Sequence, residues 1–182
     1  LFCGLGAKGI TTYYEPIKSR DHTEIMLETV GIHLEKNENK IIINKPTLFP
    51  TSLNINIPGD PSTAAFFAGA AAIVPKSNLI LNNILANPTR FEFFNCLNRM
   101  GAQLEFISNW KEAGEEVKNI RIINRKLTAV KINKNQIPGL IDEIPMLSII
   151  ATQSHGKTEI RGAAELRFKE SDRIKSIIFN LK

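Results

Sequence analysis

Residues 63–106, TAAFFAGAAAIVPKSNLILNNILANPTRFEFFNCLNRMGAQLEF, decide the fold, because the same order of signals returns on either side of them. The run reads as a small-residue apolar helix, a polar turn, an alternating strand, a charged loop and an amphipathic helix. Gly101-Ala102 then leads into another strand. Residues 1–35 follow the same order and pass through Gly31-Ile32 into a strand, and residues 144–181 follow it again. The period is about 70–80 residues, long for a solenoid and suited to a repeated α/β supersecondary unit.

The local signals have physical causes. Asp60 is placed to cap a helix and Pro61 to open it, since Pro has no N–H to leave unbonded there. The Ala and Gly run that follows lets that helix approach its neighbours closely. Phe91, Phe94, Leu97 and Met100 fall near helical spacing, and Gly101 ends the helix. TEIRG at 158–162 alternates as a strand with one buried face, and WKEAGEEVKN at 110–119 reads as a hairpin loop. SLNINIPGD leads from the first unit into the second near 52–58, so the expected division is one domain over 1–56 and another over 57–182.

The chain has 182 residues, 43% hydrophobic and 23% charged, with a formal net charge of +5. That length and composition suit a folded chain with a real core. No apolar run reaches the ~20 residues that span a bilayer, and LFCGLGAKGI has no charged region or cleavage site of a signal peptide. A soluble, cytoplasmic protein without a membrane partner is the expectation. Lys and Arg are spread rather than gathered in a stripe with aromatics, which argues against a nucleic-acid surface. Cys3 and Cys96 have no CxxC pairing and are expected to be buried, reduced thiols. The absent initiator Met, and the apolar stripe Ile174, Ile177, Ile178, Leu181 still running at the chain's end, suggest an internal piece of a longer protein.

Three charged stretches occupy comparable places: SRDHTE at 19–24, IDEIP at 141–145 and FKESDRI at 168–174. At FKESDRI, Ser171 or Glu170 serves as a simple cap, with Asp172 favoured by the helix dipole. Lys169 and Arg173, spaced i, i+4, fit that account poorly, because cations are disfavoured at a helix start unless an anion docks there. Asp142 is a natural N-cap, or else a proton acceptor facing a cleft. Ser19 and Arg20 suit a phosphate, the arginine through its fixed fork. His22 alone is weak evidence, and GDPSTAA lacks the spacing of a phosphate loop. On the residues alone, capped and solvated helix starts and an anion site both fit.

Taken together, KESDR (169–173), LIDEIP (140–145), SRDHTE (19–24), GDPSTAAFF (59–67) and NPTR (87–90) resemble the 3-phosphoshikimate 1-carboxyvinyltransferase (5-enolpyruvylshikimate-3-phosphate synthase) family, in its order and over essentially the whole chain. The resemblance implies an α/β (α+β) fold of repeated βαβαββ units forming a two-domain inside-out barrel, incomplete in this chain. Residues 1–56 would be the last unit of the first domain and 57–182 the first two units of the second. It implies transfer of the enolpyruvyl group of phosphoenolpyruvate to the 5-hydroxyl of shikimate 3-phosphate, without metal or organic cofactor, by a monomeric parent enzyme. Asp142 then matches the catalytic aspartate near the 5-hydroxyl, Glu170 the carboxyl that exchanges a proton with the methylene carbon, and Lys169 the lysine beside the reacting centre. Arg173 matches an arginine that binds phosphoenolpyruvate. Ser19 and Arg20 match positions around the 3-phosphate, and Glu165 a substrate-side position. GSKS-, NAGT-, SAQ- and late DHR-type segments of the family are missing, so the isolated chain is expected to be inactive. Two alternatives share the repeated unit: UDP-N-acetylglucosamine 1-carboxyvinyltransferase, whose reactive cysteine loop is absent here, and a non-catalytic or RNA-cyclase-like domain.

Overall fold

In a computed structural model, which describes residues 1–37, 39–47 and 52–182, the first two repeats fold with the same topology. The first repeat contains α1 (Phe2–Gly6), β1 (Thr11–Tyr14), α2 (His22–Thr29), β2 (Leu34–Asn37) and β3 (Lys40–Ile43). Its strands form an antiparallel sheet in the order β1-β3-β2, with Ile43 opposite both Thr11 and Leu34. The alternation of β3 buries Ile41 and Ile43, which meet Leu27, Ile32 and Leu34 in a small core. Gly4 is required where α1 crosses β3, because a Cβ there would overlap the Ile43 side chain.

The second repeat contains α3 (Pro61–Ile73), β4 (Asn78–Leu85), α4 (Glu92–Arg99), β5 (Gln103–Glu112) and β6 (Glu115–Ile123), and its sheet order is β4-β6-β5. Asp60 caps α3 as expected, accepting from the Thr63 N–H at 2.8 Å, and Pro61 opens the helix. Gly101, at φ +97°, follows α4 in the left-handed conformation that ends it. The third repeat supplies α5 (Ile144–Thr152), β8 (Glu159–Ile160) and α6 (Arg173–Asn180). A short β7 (Lys131–Ile132) precedes it and pairs with β8 in parallel. Phe93, Phe94, Leu97, Met100, Ile120, Leu147 and Ile150 are fully buried in one core, which shares no residue with the first. Gly69 lets α3 meet α5, since a Cβ there would overlap Met146.

Three expectations change. WKEAGEEVKN is not a loop: β5 and β6 run through it and leave only Ala113-Gly114 as the turn, with φ +48° and +82°. TEIRG contributes only two strand residues, both half-buried rather than alternating. Cys3 is exposed, because α1 turns it away from the small core, while Cys96 is buried. The α6 stripe is half covered: Ile174 and Ile177 pack on the large core, but Ile178 and Leu181 are exposed. Residues 38 and 48–51, inside the first expected domain, lie outside the described residues. Among the described residues no helix is long and apolar enough to cross a membrane.

Candidate active site

Three loops bring the charged stretches together. Arg20 comes from the loop between β1 and α2, Asp142 from the turn before α5, and Lys169 to Arg173 from the passage between a 3-10 helix (Ala164–Phe168) and α6. The second and third of these loops are fastened by buried apolar neighbours. Leu140, Ile141 and Ile144 flank Asp142, and Leu166 anchors the 3-10 helix. Polar side chains between such anchors stay at the surface while their backbone is held.

Asp142 is not the helix cap; Glu143 takes the N-cap position, and its side chain makes no capping bond. The Asp142 carboxylate is therefore left for long-range partners. Arg20 donates to Oδ2, and Arg173 Nη1 lies 3.3 Å from Oδ1. The other arm of Arg173, Nη2, donates to Glu170 Oε2 at 2.8 Å, so one guanidinium fork spans both carboxylates. Burial alone would raise the Asp142 carboxyl, but the hydrogen bond and charge of Arg20, with the charges of Lys169 and Arg173, outweigh it and hold the group below its ordinary value. The Glu170 carboxyl is also lowered, first by a hydrogen bond from its own backbone N–H and then by Arg173, and its side chain is largely exposed.

Lys169 and Arg173 do not share a helix face. α6 begins at Arg173, and Lys169 is extended at ψ −166°, so helical i, i+4 spacing does not apply between them. They nevertheless both act on Asp142, from chain segments either side of the helix start. The cap of α6 is Asp172, which accepts from the Lys175 N–H at 2.9 Å, rather than Ser171 or Glu170. Lys169 Nζ lies 3.6 Å from Glu165 Oε1, which brings Glu165 to the edge of the group. Ser19 is not drawn in by contact: its N–H and hydroxyl both donate to Glu15.

The resulting arrangement holds an ionised carboxylate among three cations, with a second carboxylate facing solvent. Fixed guanidinium and ammonium groups suit the binding of two anions side by side, and two separately placed carboxyls suit proton delivery and removal at different atoms. Among the described residues, no group of three or more His, Cys, Asp and Glu side chains is gathered as a metal site.

Sequence reasoning missed two further polar networks. Buried Asn87 donates to Asp21 Oδ1 at 2.8 Å and to Glu115 Oε2 at 2.7 Å, while Glu115 Oε1 pairs with His22 Nδ1 at 2.5 Å. This joins the first repeat to the second beside the site. Ser62, Arg90 and Glu143 form the other network. The signals existed, in NPTR and GDPSTAA, but their partners lie far away in sequence.

The chain matches the EPSP synthase (3-phosphoshikimate 1-carboxyvinyltransferase) family over residues 1–182. It is 48% identical to the 3-phosphoshikimate 1-carboxyvinyltransferase of Sulfurihydrogenibium sp. (strain YO3AOP1), covering 100% of this chain and 43% of that protein. It is 44% identical to the protein of that name from Persephonella marina (strain DSM 14350 / EX-H1), with the same two coverages. Its fold superposes on an EPSP synthase structure from Acinetobacter baumannii with TM-score 0.92 and 39% identity, over 100% of this chain and 41% of the other. The chain thus spans less than half the length of these relatives. With a match over its whole length and the repeated α/β fold in common, it belongs to the EPSP synthase family.

Proposed function

We propose that the full-length protein containing this chain transfers the enolpyruvyl group of phosphoenolpyruvate to the 5-hydroxyl of shikimate 3-phosphate and releases inorganic phosphate. The observation that carries this is the Arg173 fork between Asp142 and Glu170, with Arg20 on the other oxygen of Asp142. Two anionic substrates need cations to lie side by side, and Arg20 with Ser19 would take the 3-phosphate while Arg173 takes phosphoenolpyruvate. Glu165, paired with Lys169, would border the substrate.

The chemistry divides between the two carboxyls. Drawing Arg173 away to phosphoenolpyruvate removes a partner that lowers the Glu170 carboxyl and lets it take up a proton. As the 5-hydroxyl oxygen bonds to C2 of phosphoenolpyruvate, Glu170 gives that proton to the methylene carbon and Asp142 receives the hydroxyl proton. Phosphate then leaves C2, carrying away the proton that Asp142 took up, and loss of a proton from the new methyl group to Glu170 restores the double bond. Lys169 stabilises negative charge at the reacting centre. We infer also that residues 1–56 and 57–182 belong to separate domains facing one cleft, which the two separate cores support. The parent would act as a cytoplasmic monomer, and the 182 residues alone would give no turnover.

The test is phosphate release by the full-length protein, with shikimate 3-phosphate, UDP-N-acetylglucosamine or RNA offered beside phosphoenolpyruvate. Turnover with the first, abolished in Asp142→Asn and Glu170→Gln, is expected. Turnover with the UDP-sugar instead would overturn the assignment.

A further inference from the structure

The start of α5 is tied to the start of α3 by polar contacts that none of the roles above uses. Glu143, next to Asp142, is only 6% exposed. Its Oε1 accepts from Ser62 Oγ at 2.5 Å, and Ser62 Oγ lies 2.7 Å from Arg90 Nη2. Arg90 Nη2 also donates to Asp60 Oδ1 at 2.8 Å, and Asp60 is the residue that caps α3. Proton count orients the chain of contacts. A guanidinium only donates, so Ser62 Oγ accepts from Arg90 and has its single hydrogen left for Glu143. The contact spans 81 residues of sequence and joins two helix starts at one point.

A buried carboxyl at this place is not a source of stability. Burial pushes the Glu143 carboxyl above its ordinary value; the Ser62 hydrogen bond opposes that, and the neighbouring Asp142 charge adds to it. A buried apolar side chain of similar volume would carry no such penalty. What the carboxyl supplies is direction, because the backbone that it anchors is the one that carries Asp142.

We propose that Glu143 is a positioning residue for Asp142, held by Ser62 and through it by Arg90, so that the Asp142 carboxylate meets Arg20 and Arg173. The proposal rests on the catalytic reading of Asp142. Glu143 itself does not touch the reacting atoms.

The test is made in the full-length protein. Glu143→Ala is expected to lower kcat about 10- to 100-fold, the scale of a small misplacement of a reacting group, with both KM values within about threefold. Glu143→Gln keeps the acceptor oxygen and the volume, so kcat stays within about threefold of the parent. Ser62→Ala moves kcat in the direction of Glu143→Ala, and the double variant is no worse than Glu143→Ala alone, as two members of one linkage require. A parent-like kcat in Glu143→Ala, an equal loss in Glu143→Gln, or a loss carried only by KM overturns the proposal. Crystal structures of both Glu143 variants give a readout apart from turnover: Asp142 displaced from Arg173 in the alanine variant and in place in the glutamine variant. If the parent fails to use shikimate 3-phosphate, the functional assignment falls and these structures still decide the positioning. Should Glu143→Ala not fold, Ser62→Ala carries both readouts.

Discussion

Arg20 and Asp142 form a direct ion pair although 122 residues of sequence separate them. The contact closes the first repeat onto the third and occupies the carboxylate proposed to act on the 5-hydroxyl. An arriving phosphate competes for the same guanidinium, so binding of the phosphorylated substrate would release Asp142 for proton transfer. Arg20→Ala should therefore raise KM for shikimate 3-phosphate about 10- to 100-fold, the worth of one charge-assisted hydrogen bond. KM for phosphoenolpyruvate should change far less. With burial left to raise the Asp142 carboxyl and one cation fewer to lower it, the acid limb of the pH–rate profile should also move to higher pH. Steady-state kinetics with each substrate varied in turn decides this, and a change confined to phosphoenolpyruvate would reject the role given to Arg20.

Glu143 makes a prediction about stability with an unusual sign. Its carboxyl is raised in the folded state, so the folded protein holds a proton more tightly than the unfolded chain does. That contribution is fully present below the unfolded value near 4.5 and is lost as pH rises through the higher folded value. Glu143→Gln, which has no charge to bury, should be more resistant to urea than the parent at pH 7. The advantage should shrink to nothing as the pH falls below the unfolded value. Urea midpoints measured from pH 4 to 7 test it; a variant less stable than its parent at neutral pH would show that the charge is repaid locally.

Asn87 is 1% exposed and gives both hydrogens of its amide to carboxylates, one on Asp21 and one on Glu115. Asn87→Ala removes one buried donor from each of those carboxylates, Asp21 keeping Lys18 and Glu115 keeping His22, and should cost about 1–3 kcal/mol. Asn87→Asp should cost more at neutral pH, because it places a third carboxylate between two others. Acid should narrow the gap between these variants as the new carboxylate takes up a proton. Denaturant titrations at pH 5 and pH 7 would test the order; an aspartate variant as stable as the alanine one at pH 7 would contradict it.

How much of this was legible depended on how far each interaction reaches. The Asp60 cap, the Pro61 start and the Gly101 stop are set within a few residues, and each is where the sequence puts it. The β5–β6 hairpin has a shorter loop than its polarity suggests, because Lys111, Glu112, Glu115 and Glu116 are charged like loop residues yet sit on paired strands. The relation of Lys169 to Arg173 was misjudged since a 3-10 helix and an extended residue replace the helical turn that the spacing suggests. Asp142, Arg20, Glu170 and Arg173 were identifiable by type, but their contacts follow from the packing of three repeats. The Glu143–Ser62 pairing was not legible locally: GDPSTAA marks Ser62, but Glu143 lies 81 residues away and, before Ile144-Pro145, looks like any helix start.

Cys96 lies on the core face of α4, with its Sγ near both Arg99 and Glu92. Burial is the main reason that its thiol is pushed up to about 12; Glu92 adds to the shift and Arg99 opposes it. A thiol so raised presents almost no thiolate at pH 8, and thiolate is the form that reacts. In the folded protein Cys96 should therefore resist a water-soluble disulfide reagent at that pH and react promptly once urea unfolds the chain. Mass spectrometry of labelled peptides distinguishes it from exposed Cys3. Arg99→Ala should leave Cys96 as unreactive as before, because the arginine favours the thiolate while burial suppresses it. Rapid labelling of Cys96 in the native protein would show instead that α4 opens readily and that the large core is looser than its packing indicates.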